Sequence, residues 1–206
     1  MIIADTVTSF TGIPVLTDEW GLDAVYSGSQ KCLSCVPGLS PLTFSDKAIE
    51  KIQSRGTKIQ SWFLDQTLVL DYWSGTGKRS YHHTAPINSI FALHEALRLA
   101  CDETLENLWK RHLDAHFRLK QGLDSMSFDF VVEKKYRLPQ MNSIHIPEGC
   151  DDLEIRSKLL NDYNLEIGAG LGKFSGKIWR IGLMGYNARN ESVDYCLNSL
   201  KEVLNK

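Results

Sequence analysis

No stretch of this 206-residue sequence approaches the roughly 20 consecutive apolar residues that a transmembrane helix needs. No basic segment followed by an apolar core opens the chain, so no secretory signal is read there. Positive charge is not in excess either. Lysine and arginine number 23 against 25 acidic residues, a net charge of −2, which leaves no basic field to hold nucleic acid or an anionic membrane. The five cysteines are odd in number and mostly scattered, which argues against a disulfide framework and fits reduced thiols in an intracellular compartment. Internal repeats and low-complexity tracts are also absent. What remains is a globular composition, 43% hydrophobic with 15 glycines and 6 prolines, long enough for one large domain or two small ones.

The most informative stretch is residues 23–42. A short apolar run, Ala24-Val25-Tyr26, breaks into small residues, Ser27-Gly28-Ser29, and then presents Gln30 and Lys31 before a Pro37-Gly38 turn. A lysine at a strand end among small neighbours lets a ligand approach without side-chain bulk in the way. Near apolar surface a lysine can lose its proton, and the neutral amine can then act as a nucleophile. A lone lysine here would read as an ordinary surface residue. Upstream, Met1 to Ala4 reads as a strand buried on both faces of a parallel sheet, and Asp5 follows where that strand ends. Open α/β sheets bind ligands at the carboxyl ends of their strands, so a carboxylate there is placed for chemistry, although a turn-forming Asp fits equally well when judged alone.

Arg180 is the second sharp feature, a guanidinium inside the otherwise apolar strand Ile178-Trp179-Arg180-Ile181-Gly182-Leu183-Met184. Removing one partner of a buried ion pair costs roughly 3–5 kcal/mol, so an arginine there needs an anion. The anion is either a permanent side-chain carboxylate or a ligand carboxylate gripped in bidentate fashion.

Three tempting motifs carry less. Cys32-x-x-Cys35 has no second CxxC and reads as two incidental thiols. His112 and His116 have metal-ligand spacing but lie in an apolar helical stripe, so hydrogen-bonded buried histidines are the better reading. Gly168-Ala169-Gly170-Leu171-Gly172-Lys173 lacks P-loop spacing and reads as a flexible inter-strand loop that could close over substrate.

The order of residue types in Ser27-Gly28-Ser29-Gln30-Lys31 and Pro37-Gly38-Leu39-Ser40 resembles the cofactor-lysine signature of class V pyridoxal 5′-phosphate (PLP) aminotransferases, nearest the alanine–glyoxylate (serine–pyruvate) type. The resemblance implies an α/β fold, the C-terminal part of a fold-type-I PLP transferase. Residues 1–100 would be the remaining part of the large PLP-binding domain, 101–125 an inter-domain helix, and 126–206 a small α+β domain. Family members carry half of the large domain before this point, so the chain reads as a C-terminal half. Lys31 would hold PLP as an internal aldimine and act as general base and acid. Asp5 would contact the pyridine nitrogen, and Val7 would pack on the ring. Gln30 would bind the phosphate, together with Tyr81 and Thr84 reaching across a homodimer interface from Tyr81-His82-His83-Thr84-Ala85-Pro86. Arg180, in Arg-Ile-Gly-Leu-Met-Gly, would bind the substrate carboxylate.

The implied reaction moves an amino group from alanine or serine to glyoxylate or pyruvate. A truncated dimerising fragment, or a kynureninase, desulfurase or 3-hydroxykynurenine transaminase, is the alternative. A peroxisomal address follows from the resemblance, although Leu204-Asn205-Lys206 is no Ser-Lys-Leu-type signal, and mitochondrial or cytosolic placement stays open.

The rest of the chain gives element expectations. Pro41 to Phe44 reads as a return strand, and Ser45 as the N-cap of the next helix. Residues 62–73 read as a buried helix or a dimer-facing segment. A polar loop over residues 74–79 precedes two long helices, with Ile87, Ile90, Phe91, Leu97 and Cys101 on one face of the first. On the second, Leu105, Leu108, Trp109, His112, His116, Leu119 and Leu123 form a stripe. Strands are expected over 128–132, 143–146, 165–167 and 177–184, and helices over 151–163 and at the C-terminus.

Overall fold

The computed structural model describes residues 1–73 and 80–205. The polar loop expected over residues 74–79 lies outside the described residues. The chain begins with β1 (Ile3–Asp5), β2 (Ala24–Tyr26) and β3 (Leu42–Phe44), a three-stranded sheet in which β1 and β2 run parallel and β3 returns antiparallel to β2. Asp23 pins this sheet. Its buried carboxylate accepts the Ile2 N–H at 2.7 Å and the Ser45 hydroxyl at 3.1 Å. Ser45 also caps α1 (Asp46–Gln53), its side chain accepting from the Ala48 N–H as the sequence predicts.

Strand β1 differs from expectation. Met1, Ile2 and Ile3 are 57%, 54% and 67% exposed, because β1 pairs only with β2 and is left as an edge with uncovered faces. The next helix, α2 (Gln66–Trp73), has no buried residue, so the buried-helix reading of this region does not hold. Likewise α3 (Ile87–Glu103) buries none of its side chains, and Ile87 and Phe91 stand 59% and 70% exposed. Hydrophobic periodicity marks a face that seeks a partner. It does not say that this chain supplies one.

The core lies further on. α4 (Leu105–Ser125) buries Leu108, His112, Ala115, His116, Leu119 and Leu123, while Leu105, at its exposed first turn, falls outside the stripe. This face packs with α5 (Asp152–Tyr163) and α6 (Asn190–Leu204) against the second sheet, in order β4 (Met141–His145), β6 (Ile178–Gly182) and β5 (Gly168–Ala169), antiparallel throughout. Asp151 caps α5 by accepting the Glu154 N–H. Leu119, Leu123, Ile144, Leu159, Trp179 and Leu200 are fully buried, each apolar side chain contributing about 1.5–3 kcal/mol of burial.

Two expected strands shift. Residues 128–132 reach the sheet only through a bridge from Phe130 to Ile144, because the following segment turns away into a 3₁₀ turn at Lys134–Tyr136. The strand expected at 165–167 forms instead at Gly168–Ala169. The glycine-rich segment after it is a bonded turn, not an open loop. Gly170 N–H donates to Ile178, Phe174 N–H to Leu171 and Lys177 N–H to Phe174.

Candidate active site

The parallel pairing of β1 and β2 places Asp5 directly beside Tyr26 at the carboxyl ends of both strands. Asp5 is exposed. One carboxylate oxygen accepts the Val7 N–H at 2.9 Å, which turns the chain, and the other accepts the Tyr26 hydroxyl at 2.9 Å. Donating to Asp5 and facing its charge raises the Tyr26 pKa above the ordinary phenol value. Just beyond, Thr6 donates its N–H (2.9 Å) and hydroxyl (2.8 Å) to the Tyr26 carbonyl, and the Ser27 hydroxyl donates to the Thr6 carbonyl at 3.1 Å. The two strand exits are therefore cross-tied. In the sequence Tyr26 is one residue of an apolar run. A tyrosine in register with a carboxylate at a strand exit was the available signal.

Lys31 sits at the tip of the loop that follows β2. Ser27, Gly28 and Ser29 are buried, and the Ser29 hydroxyl donates to the Val36 carbonyl at 2.7 Å. Ser29 N–H donates to Leu39 and Cys35 N–H to Ser29, closing the loop on itself. This folding needs small residues in sequence, since the loop backbone packs on itself. Lys31 is half-buried, and its amine makes no hydrogen bond or ion pair among the described residues. Gln30 is exposed, with its side chain folded beside Gly28. Cys32 is buried, donates to the Thr8 carbonyl at 3.2 Å, and has its pKa pushed up to about 11 by burial, so it is a neutral thiol. Cys35 is free as well and half-buried.

Tyr81 and Thr84 share a 2.6 Å hydroxyl–hydroxyl hydrogen bond on an exposed segment. They make no hydrogen bond to Asp5, Gln30 or Lys31 within this chain. Between them His82 stacks on Trp62 at 4.0 Å and lies 2.8 Å, nitrogen to nitrogen, from His83. Among the described residues no group of three or more His, Cys, Asp or Glu side chains is arranged to hold a metal. His112 and His116 are buried with hydrogen-bond partners, Leu108 O for the first at 2.7 Å and Asn142 Oδ1 for the second at 2.7 Å. Burial lowers both pKa values.

Arg180 lies in β6 between buried Trp179 and Ile181 but is itself only half-buried. Its Nε donates to the Ala169 carbonyl at 2.7 Å, and it forms no ion pair with a carboxylate among the described residues. The expectation of a fully buried guanidinium is thereby corrected: the side chain leans along the β5–β6 edge, where one carbonyl and solvent satisfy part of it. No hydrogen bond joins Arg180 to Lys31 or Asp5. A groove of about 660 Å³, lined by Met1, Ile3, Phe44, Ala48, Ile52 and Leu64 among others, opens at the amino end of the first sheet and includes none of these residues.

Two sheets linked by the α3–α4 pair, with a carboxylate and a lysine at adjacent strand exits, are part of a fold-type-I PLP transferase. The chain belongs to the aminotransferase class-V family, which matches residues 1–195. PLP is the cofactor of that family. The alanine–glyoxylate aminotransferase of Rattus norvegicus is 40% identical over 99% of this chain and 50% of its own length, and the (S)-ureidoglycine–glyoxylate transaminase of Bacillus subtilis is 33% identical over 99% of this chain and 53% of its own. The crystal structure of an alanine–glyoxylate aminotransferase from Nostoc sp. superimposes with a TM-score of 0.95 at 48% identity, covering 99% of this chain and 54% of that one. The chain thus spans about half the length of the relatives it matches. With a bacterial transaminase among them, a peroxisomal address does not follow from family membership. No helix among the described residues is long and apolar enough to cross a membrane.

Proposed function

We propose that this chain is the lysine-bearing half of a PLP-dependent transaminase that moves an amino group from alanine or serine to glyoxylate or pyruvate. The observation that carries the reading is the parallel β1–β2 pair, from whose adjacent ends Asp5 and the Lys31 loop emerge. The donor set fits the cofactor: a carboxylate for a pyridinium, an amine with no competing partner, a hydroxyl pair for a phosphate, and a guanidinium with no internal acid. When bound, PLP supplies an aldehyde that condenses with amines and a ring that takes up negative charge.

The chain's own residues do the rest. Asp5, steadied by Tyr26 and the Val7 N–H, would hold the pyridine nitrogen in its protonated form, and Val7 would lie beside the ring. Lys31 Nζ would take the proton from the substrate Cα and return it. Arg180 binds the substrate carboxylate, the geometry its fork of donors suits. Gln30 would bind the phosphate together with Tyr81 and Thr84 of the partner subunit, in a homodimer with shared sites. Residues 1–100 act as the PLP-binding portion, 101–125 as the connecting helix and 126–206 as the small domain that carries Arg180.

Adding PLP to the chain, recording the visible spectrum, reducing with borohydride and mapping the labelled peptide should place the label on Lys31. Lys31→Ala should abolish both the label and transamination, and normal turnover by that variant would refute the assignment. An amino-donor panel with glyoxylate separates the alanine–glyoxylate type from 3-hydroxykynurenine transaminase, kynureninase or desulfurase chemistry.

A second reading, a dimerising fragment without turnover, draws on the half-length match and on the exposed Met1–Ile3 edge beside the apolar groove. It predicts self-association with no label on Lys31.

A further inference from the structure

Outside the residues assigned above, a close set of contacts lies where the second sheet meets the Lys31 loop. The turn Gly185–Asn187, which follows β6, rests on residues 32–34. A Cβ on Gly185 would stand 1.9 Å from Ser34 Oγ and 2.7 Å from the Cys32 carbonyl oxygen, and its φ is +54°, so space and backbone both demand glycine. Tyr186 N–H donates to Ser34 Oγ at 2.7 Å, and Ser34 N–H donates to the Lys31 carbonyl at 2.9 Å. Two consecutive residues of α4 hold the turn from behind. Arg111 Nη1 donates to the carbonyls of Gly185 (2.6 Å) and Ala188 (3.0 Å), and the rest of its guanidinium is held by Glu103 at 2.5 and 3.0 Å. His112 Nε2 accepts the Gly185 N–H at 3.0 Å while Nδ1 lies 2.7 Å from the Leu108 carbonyl oxygen. A carbonyl only accepts and a backbone N–H only donates, so the ring is the neutral tautomer with its proton on Nδ1.

We propose that Arg111 and His112 are positioning residues for Lys31. They fix the Gly185 turn, the turn fixes Ser34, and Ser34 fixes the Lys31 backbone, so that β6 with Arg180 and the lysine loop keep one separation. The inference rests on the reading of Lys31 as the cofactor lysine and Arg180 as the substrate arginine. A displacement of about 1 Å between such groups is enough to cost on the order of a hundredfold in rate. His116 provides a matched control. It is buried one turn further along the same helix but bonds to Asn142, and among the described residues no hydrogen bond joins that pair to Gly185, Ser34 or Lys31.

The test uses the whole chain without cofactor. Hydrogen–deuterium exchange is followed over residues 31–36, and acetylation of Lys31 is compared with that of exposed Lys47. His112→Leu should speed exchange over 31–36 at least tenfold and change the Lys31-to-Lys47 acetylation ratio at least threefold. His116→Leu should change neither, even if it lowers the melting temperature as much. His112→Gln, whose Oε1 can still accept the Gly185 N–H, should restore most of both readouts. Ser34→Ala, which leaves α4 untouched, should shift them in the same direction as His112→Leu and serves if that variant does not fold. Equal effects from the two histidine variants, or no effect from both His112→Leu and Ser34→Ala, would overturn the proposal. Borohydride trapping of PLP on wild-type Lys31 is scored separately. Its failure removes the cofactor reading, while the exchange result alone judges the clamp.

Discussion

At the residue scale, hydrogen bonds specify protonation more tightly than sequence does. His112 accepts a backbone N–H, and both buried histidines have pKa values lowered first of all by burial. Above the ordinary histidine pKa of 6.5 each is neutral folded and unfolded, and stability is fully present. As pH falls below that value the unfolded chain takes up protons that the folded chain refuses, so stability drops until the folded pKa is passed. The unfolding free energy from urea titrations should therefore fall as pH drops below 6.5, by at most about 1.4 kcal/mol per pH unit for each histidine. His116→Gln should remove part of that slope. The Asp5–Tyr26 bond makes a different demand. Because both groups are exposed, Tyr26→Phe should change stability by less than about 0.5 kcal/mol, while weakening PLP retention on Lys31 several-fold in the trapping assay. Asp5, Lys31 and Arg180 were legible as residue types in context. Tyr26, Arg111 and Gly185 were not, because their importance arises from neighbours distant in sequence, 21 positions away for Tyr26 and 74 for the Arg111–Gly185 pair.

At the scale of elements, α4 and α6 meet so closely that Gly122 touches Leu197. A Cβ on Gly122 would fall 2.3 Å from Leu197 Cδ1 and 2.9 Å from its Cγ. Alanine would gain about 0.5–1 kcal/mol of helix propensity at this mid-helix site, but overpacking a filled interface costs about 1–3 kcal/mol. The second effect should win, so Gly122→Ala is expected to lower the melting temperature, the opposite of its effect on an exposed helix. Periodicity found α4, α5 and α6 because each buries one continuous stripe in a core this chain completes. It misplaced the strands near 128–132 and 165–167 because short apolar segments satisfy a core equally well as bridge or loop. Which of them enters the ladder depends on what β6 already pairs with.

At the scale of the whole molecule, burial is uneven. The core cluster draws on residues from Ala115 onward, whereas Trp62, Phe63, Leu64, Trp73, Ile87 and Phe91 stand 56–70% exposed. Large apolar side chains left exposed in this number are what the proposed homodimer would cover. In the proposed homodimer, Phe63→Asp combined with Phe91→Asp should weaken self-association at least tenfold, read by sedimentation velocity, without lowering the melting temperature. Sequence alone determined the family signature around Lys31, the strand exit at Asp5, the Ser45 helix cap and the burial of the two histidines, since each follows from residue types within one turn, one strand or one helical stripe. Only the tertiary structure decided that β1 is an exposed edge, that Arg180 leans on a carbonyl rather than an acid, and that α4 grips the turn behind the lysine loop. Those outcomes depend on which surfaces meet across long stretches of chain, and local patterning carries no information about that.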